Sequence, residues 1–133
     1  MNVLLDTHTF LWFVQDDPKL SNAARQLIEN AQTYPFLSIA SLWEIAIKAA
    51  LKRFDFHYRP NDIAAAARQI GMVEIGVSSR HAGQVADLPL IHNDPFDRLL
   101  IAQALSIPAR LFTADTLLAR YSDLVQPIKI ARP

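Results

Sequence analysis

The chain has 133 residues, 51% of them hydrophobic and 20% charged, with 3 glycines; this is the make-up of one compact domain with a sizeable core, and it excludes disorder. Thirteen basic residues balance thirteen acidic ones, which argues against non-specific coating of nucleic acid but leaves room for a local basic strip. There is no cysteine, so disulfide frameworks, thiolate zinc sites and cysteine nucleophiles are excluded, in keeping with a reducing compartment.

In chain order, Val3-Leu4-Leu5 is a short continuous apolar run, the pattern of a strand covered on both faces. The N-terminus carries Asp6 and no early Lys or Arg, unlike a signal peptide. A short helix is expected from His8 to Val14. Ser21 is expected to cap a second helix with an apolar stripe of Ala24, Leu27, Ile28 and Ala31. Tyr34 to Ser38 reads as a strand and Leu42 to Lys52 as a helix. The hydrophobic stretch Ile39 to Leu51 is interrupted by Glu44 and Lys48, so it is no membrane span.

After the polar break Arg59-Pro60-Asn61-Asp62, a helix is expected over Ile63 to Ile70, closed by Gly71, with a strand at Met72 to Ile75. Ser78 starts the next helix, which ends near Asp87. Pro95 to Leu105 is a strongly apolar helix and Ala109 to Thr113 a strand. Thr116 to Arg120 is helical, and Val125 to Ile130 reads as a last edge strand around Pro127. Strands alternating with helices imply a mostly parallel sheet of four to five strands between helical layers, in one domain over residues 1–133. Reactive groups in such sheets lie beyond the carboxyl ends of the strands. A soluble cytoplasmic domain is the expectation.

That rule singles out four acids. Asp6 directly follows the first strand and Asp115 comes two residues after Thr113. Either could simply cap the helix that follows it. Asp97 falls on the apolar side of its helix, towards Leu100, Ile101 and Ala104, while Arg98, Gln103 and Ser106 spread over the other side. A carboxylate placed there needs a cation or hydrogen-bond donors, part of which the helix N-terminus supplies. Glu44 has two readings. Ser41-Leu42-Trp43-Glu44 matches a capping box and Lys48 follows at i+4, yet Glu44 also stands at the border between an apolar and a basic row. Asp94, before Pro95, reads as a cap. His8 and His92 stand near the same edge and either could touch substrate, although a lone histidine beside a cap is more often a surface residue.

Four segments resemble a known family: Asp6-Thr7-His8-Thr9-Phe10-Leu11-Trp12, Ser41-Leu42-Trp43-Glu44-Ile45-Ala46-Ile47-Lys48, His92 to Ala104 with its Asp94-Pro95-Phe96-Asp97-Arg98, and Thr113-Ala114-Asp115. In this order they are similar to PIN-domain toxins of the VapC type, the nucleases of bacterial toxin–antitoxin pairs. The resemblance implies a three-layer α/β/α fold, with the family's four acids falling on Asp6, Glu44, Asp97 and Asp115 and with Thr7 and Thr113 as supporting hydroxyls. It further implies endonucleolytic cleavage of RNA, a homodimer, and an antitoxin whose tail blocks the acidic cleft.

Four converging carboxylates repel, since two anions ~4 Å apart cost about 4 kcal/mol at an effective dielectric near 20. A divalent cation removes that cost, and oxygen ligation favours Mg²⁺ or Mn²⁺ over zinc. On this reading one or two ions bind, with Asp6 and Asp97 as the main ligands, Glu44 acting through water or orienting the nucleophile, and Asp115 completing the second metal position. Lys48, Lys52 and Arg53, with His57, Tyr58 and Arg59 after them, form either an RNA-contacting strip or an ordinary solvated helix face. Trp12, Phe13 and Val14 offer apolar surface to a partner. A receiver domain would want an acidic pair after the first strand and a dehalogenase-type phosphatase an Asp-x-Asp; Asp6-Thr7-His8 fits neither. A non-catalytic RNA- or protein-binding module is the alternative.

Overall fold

The computed structural model describes residues 1–51 and 59–131. Its sheet contains β1 (Asn2–Leu5), β2 (Tyr34–Ser38), β3 (Val73–Ile75), β4 (Arg110–Thr113) and β5 (Val125–Pro127). The spatial order is β3-β2-β1-β4-β5, and every pairing is parallel. The helices among the described residues are α1 (Thr7–Val14), α2 (Asn22–Glu29), α3 (Ile39–Ala50), α4 (Pro60–Gln69), α5 (Ser79–Val85) and α6 (Pro95–Ser106), with a 3₁₀ turn at Thr116–Arg120.

The apolar run of β1 explains its central place. Val3 and Leu5 point into a core with Phe10, Ile28, Leu37, Ile45 and Ile63, while Leu4 points to the other face, against Leu100, Ile101, Ala104 and Leu118. Both faces are covered by helices, which gives the expected three-layer α/β/α fold with a wholly parallel sheet. The chain runs outward from β1 through β2 to β3, then crosses back to β4 and β5 on the other side of β1. This reversal opens a crevice beyond the carboxyl ends of β1 and β4. Among the described residues no helix is long and apolar enough to cross a membrane.

Several local expectations are corrected. Helix α3 starts at Ile39, directly after β2, with Ser38 as N-cap accepting from the Ala40 N–H at 3.1 Å. Ser41 therefore lies inside the helix, and the capping box through Glu44 does not form. The α2 stripe is narrower than expected: Ala24 and Ile28 are buried, Leu27 is exposed, and Ala31 lies beyond the helix. Two turns of helix present only one i, i+4 pair to the core. Pro60 opens α4 at its first position instead of lying in a break before it. Strand β5 stops at Pro127, and Ile130 instead makes an antiparallel bridge to Leu20.

The largest correction concerns α6. Arg98 and Gln103, expected on the solvent side, are both buried. The Arg98 guanidinium donates to the carbonyls of Pro89, Val85 and Leu88 at 2.8, 3.0 and 3.3 Å and to the Tyr121 hydroxyl at 3.2 Å. Gln103 accepts from the Ser38 hydroxyl at 2.6 Å and donates to the Gly76 carbonyl at 3.2 Å. A polar side chain is as well satisfied by protein partners as by water: α5 and the segment after it supply carbonyls to Arg98, and Gly76 before α5 supplies one to Gln103.

Candidate active site

Asp6 ends β1 and begins α1. Its N–H still bonds the Phe112 carbonyl across the sheet at 3.1 Å. Its Oδ1 caps α1 by accepting from the Thr9 N–H at 3.0 Å, and its Oδ2 accepts from the Thr113 hydroxyl at 2.5 Å. The capping and site readings are thus both true of this one side chain. Burial pushes the Asp6 carboxyl above its ordinary range, against the pull of the Thr113 and Thr9 hydrogen bonds.

Glu44 sits in the middle of α3 and is buried. Its Oε1 accepts from the Thr7 hydroxyl at 2.6 Å, and its Oε2 pairs with Lys48 Nζ at 2.5 Å. Thr7 also lies 3.1 Å from Ser41 Oγ, so the residue next to Asp6 ties α1 to α3 and fixes Glu44. The i, i+4 pair with Lys48 is present, but it lies at the rim of the cleft.

Asp94 caps α6, accepting from the Phe96 and Asp97 N–H groups at 2.8 and 3.0 Å. Asp97 follows in the first turn and bonds His92 Nε2 at 2.9 Å. Its pKa is pushed up to about 7, first by desolvation, then by the negative charges of Asp94, Asp6 and Glu44, with the His92 hydrogen bond acting in the other direction. Asp115 caps the 3₁₀ turn through the Leu117 N–H at 3.0 Å, and its other oxygen lies 3.9 Å from His92 Nε2. Thr113 also accepts from the Asp115 N–H at 3.0 Å, so one hydroxyl holds both strand-end acids.

The structure brings all four expected acids, with Asp94, Thr7, His8 and Lys48, to one open cavity of about 330 Å³. Lys52 and Arg53 lie outside the described residues. Sequence reasoning set His92 near this edge but gave it no role, because it has no periodic pattern to mark it and its place depends on a fold contact. The Tyr121 hydroxyl accepts from the His92 N–H at 2.9 Å and is itself held by Arg98.

The donor set suits a divalent cation. Carboxylate oxygens dominate it, burial and then their mutual repulsion push Asp97 up to about 7, and one ligand atom each from His92, Asp97 and Asp115 lie within 4.8 Å of one another.

Fold and site together define an α/β/α domain that gathers carboxylates at the switch point of a parallel sheet. The PIN domain family model matches residues 3–124, and the chain belongs to the PIN domain family. Among solved structures it is similar to VapBC2 from Rickettsia felis bound to a DNA fragment from the promoter (TM-score 0.68, 14% identity, covering 94% of this chain and 96% of that one). It is also similar to a toxin–antitoxin complex from Klebsiella pneumoniae (TM-score 0.65, 18% identity, covering 96% and 99%). At these identities the likeness is one of fold. No curated protein matches the chain in sequence at a significant level.

Proposed function

We propose that this protein is a metal-dependent endoribonuclease, the toxin of a VapC-type toxin–antitoxin pair acting in the cytoplasm. The observation that carries the reading is the meeting of Asp6, Glu44, Asp97 and Asp115 in one cleft, where desolvation first and neighbouring carboxylates second push Asp97 up to about 7. So unfavourable a cluster at a sheet switch point is the mark of a site built for a cation and an anionic substrate. Membership of the PIN family and the toxin–antitoxin complexes of similar fold support it.

In this mechanism Asp6 and Asp97 would hold Mg²⁺ or Mn²⁺ as principal ligands, and Asp115 would complete the site. When bound, the cation acidifies water and stabilises developing charge on the phosphate. Glu44, fixed by Thr7 and Lys48, accepts a hydrogen bond from the attacking water and orients it in line with the scissile bond. Lys48, at the mouth of the cleft, offers its ammonium group to a phosphate oxygen. Thr113 holds Asp6 from behind. A second copy of the chain and an antitoxin segment that covers the cleft are the proposed partners.

The test is incubation of the purified chain with a mixed RNA pool in Mg²⁺, Mn²⁺ or EDTA, with cut ends mapped by sequencing. Cleavage at defined positions in either metal, with none in EDTA, is expected. RNA binding without cleavage, indifferent to EDTA, would assign the chain to a non-catalytic binding module instead.

A further inference from the structure

We propose that His92 is a nitrogen ligand of the divalent cation, forming one coordination position with Asp97 and Asp115 that favours a transition-metal ion over Mg²⁺. The inference deepens the metal-dependent reading above and rests on it.

The three ligand atoms, within 4.8 Å of one another, span the separations that donors around one centre take. His92 Nε2 lies 2.9 Å from Asp97 Oδ2 and 3.9 Å from Asp115 Oδ2. Around an octahedral ion with bonds of ~2.1 Å, neighbouring ligand atoms stand about 3 Å apart and opposite ones about 4.2 Å apart. The three donors therefore bracket a cation with little movement. Their side chains are partly exposed, at 24% for His92, 22% for Asp97 and 43% for Asp115, so a hydrated ion can reach them.

The imidazole is also held in place. His92 lies in the segment before α6, and its backbone is gripped from both sides by Tyr121, whose hydroxyl accepts from its N–H at 2.9 Å and donates to its carbonyl at 3.3 Å. Buried Arg98 donates to the same hydroxyl and to the Pro89 carbonyl nearby. A surface histidine that only decorates a helix start needs no such clamp. A ligand does, because affinity depends on orienting its nitrogen in advance.

Selectivity follows from the donor types. Mg²⁺ prefers an all-oxygen set, whereas an imidazole among carboxylates shifts preference along the first transition series. Mn²⁺ is the probe, since its spin reports bound nitrogen directly.

The experiment uses the chelator-treated full chain titrated with Mn²⁺, followed by paramagnetic resonance and electron spin-echo modulation. The expected result is bound Mn²⁺ showing modulation from a directly coordinated nitrogen. In His92→Gln the modulation should vanish and Mn²⁺ affinity fall by about tenfold or more, with Mg²⁺ affinity much less affected. In His8→Gln the modulation should remain. Bound Mn²⁺ without nitrogen modulation, or modulation that survives His92→Gln, overturns the ligand assignment and leaves the nuclease reading standing. Failure of the unaltered chain to bind Mn²⁺ at all overturns the metal reading itself, and this inference with it. If circular dichroism shows His92→Gln unfolded, Tyr121→Phe serves instead. It releases the clamp while keeping the ring, and is expected to weaken Mn²⁺ more than Mg²⁺; equal effects on the two ions count against the proposal.

Discussion

The two ends of the sheet carry two open cavities that differ in an instructive way. The larger, about 650 Å³, lies at the amino ends of β2 and β3 between α1 and α2. Its acids are matched by a cation: Arg25 lies 3.2 Å from Asp16 and 3.8 Å from Glu29 and also donates to the Phe13 and Trp12 carbonyls. The smaller, about 330 Å³, is lined by the carboxyls of Asp6, Glu44, Asp94, Asp97 and Asp115. There one acid is pushed up to about 7 and another is raised by burial. Volume alone favours the first cavity. The concentration of carboxyl groups, of which Glu44 is paired with Lys48, favours the second.

The sharpest way to break this contrast is to neutralise one acid in each cavity. Asp6→Asn is expected to lower RNA cleavage about 10³-fold, whereas Glu29→Gln at the other end should leave the rate within about twofold, as exposed ion pairs contribute little. Equal losses in single-turnover assays would erase the distinction. Next in size is Arg98→Met, which strips the carbonyls of Val85, Leu88 and Pro89 of their donor. A loss of about 3 kcal/mol in urea unfolding is expected. A loss below about 0.5 kcal/mol would mean that water replaces the guanidinium freely.

A smaller effect is expected of Thr113→Val, which removes the hydroxyl between Asp6 and the Asp115 N–H. Cleavage should fall about 10–100-fold and be largely restored by Thr113→Ser. The smallest effect is one of stability with a definite sign. Because the Asp97 pKa is raised in the folded state, ionising it favours the unfolded chain. The cost is absent below the ordinary carboxylate pKa, grows as pH rises towards 7, and is complete above it. Asp97→Asn should therefore stabilise the chelated protein by about 1–2 kcal/mol at pH ~8 and by little at pH ~4. A gain that shrinks as pH rises would contradict the stated cause.

Much of this was legible in the sequence where local rules and the fold agree. The apolar run at Val3–Leu5 announced a central strand, Asp94-Pro95 announced the start of α6, and the strand-end rule selected Asp6 and Asp115. The failures came where partners lie far along the chain. Ser38 and Ser41 are equally good caps locally, and only the direct passage from β2 into α3 decides between them. A helical wheel sends Arg98 and Gln103 to solvent because it cannot know that the segments on either side of α5, and α5 itself, bring carbonyls to meet them. His92 belongs to no helix or strand, so nothing periodic announced that Tyr121 would set it beside Asp97.

The bond from Thr113 to Asp6 joins positions 107 apart in the sequence. During synthesis β1 emerges well before β4, the strand that flanks it on this side. A polypeptide stalled on the ribosome or clipped ahead of β4 cannot assemble the cleft, however much of its core has formed. The proposed nuclease site is thus among the last parts of the fold to be completed, as a consequence of the connectivity itself.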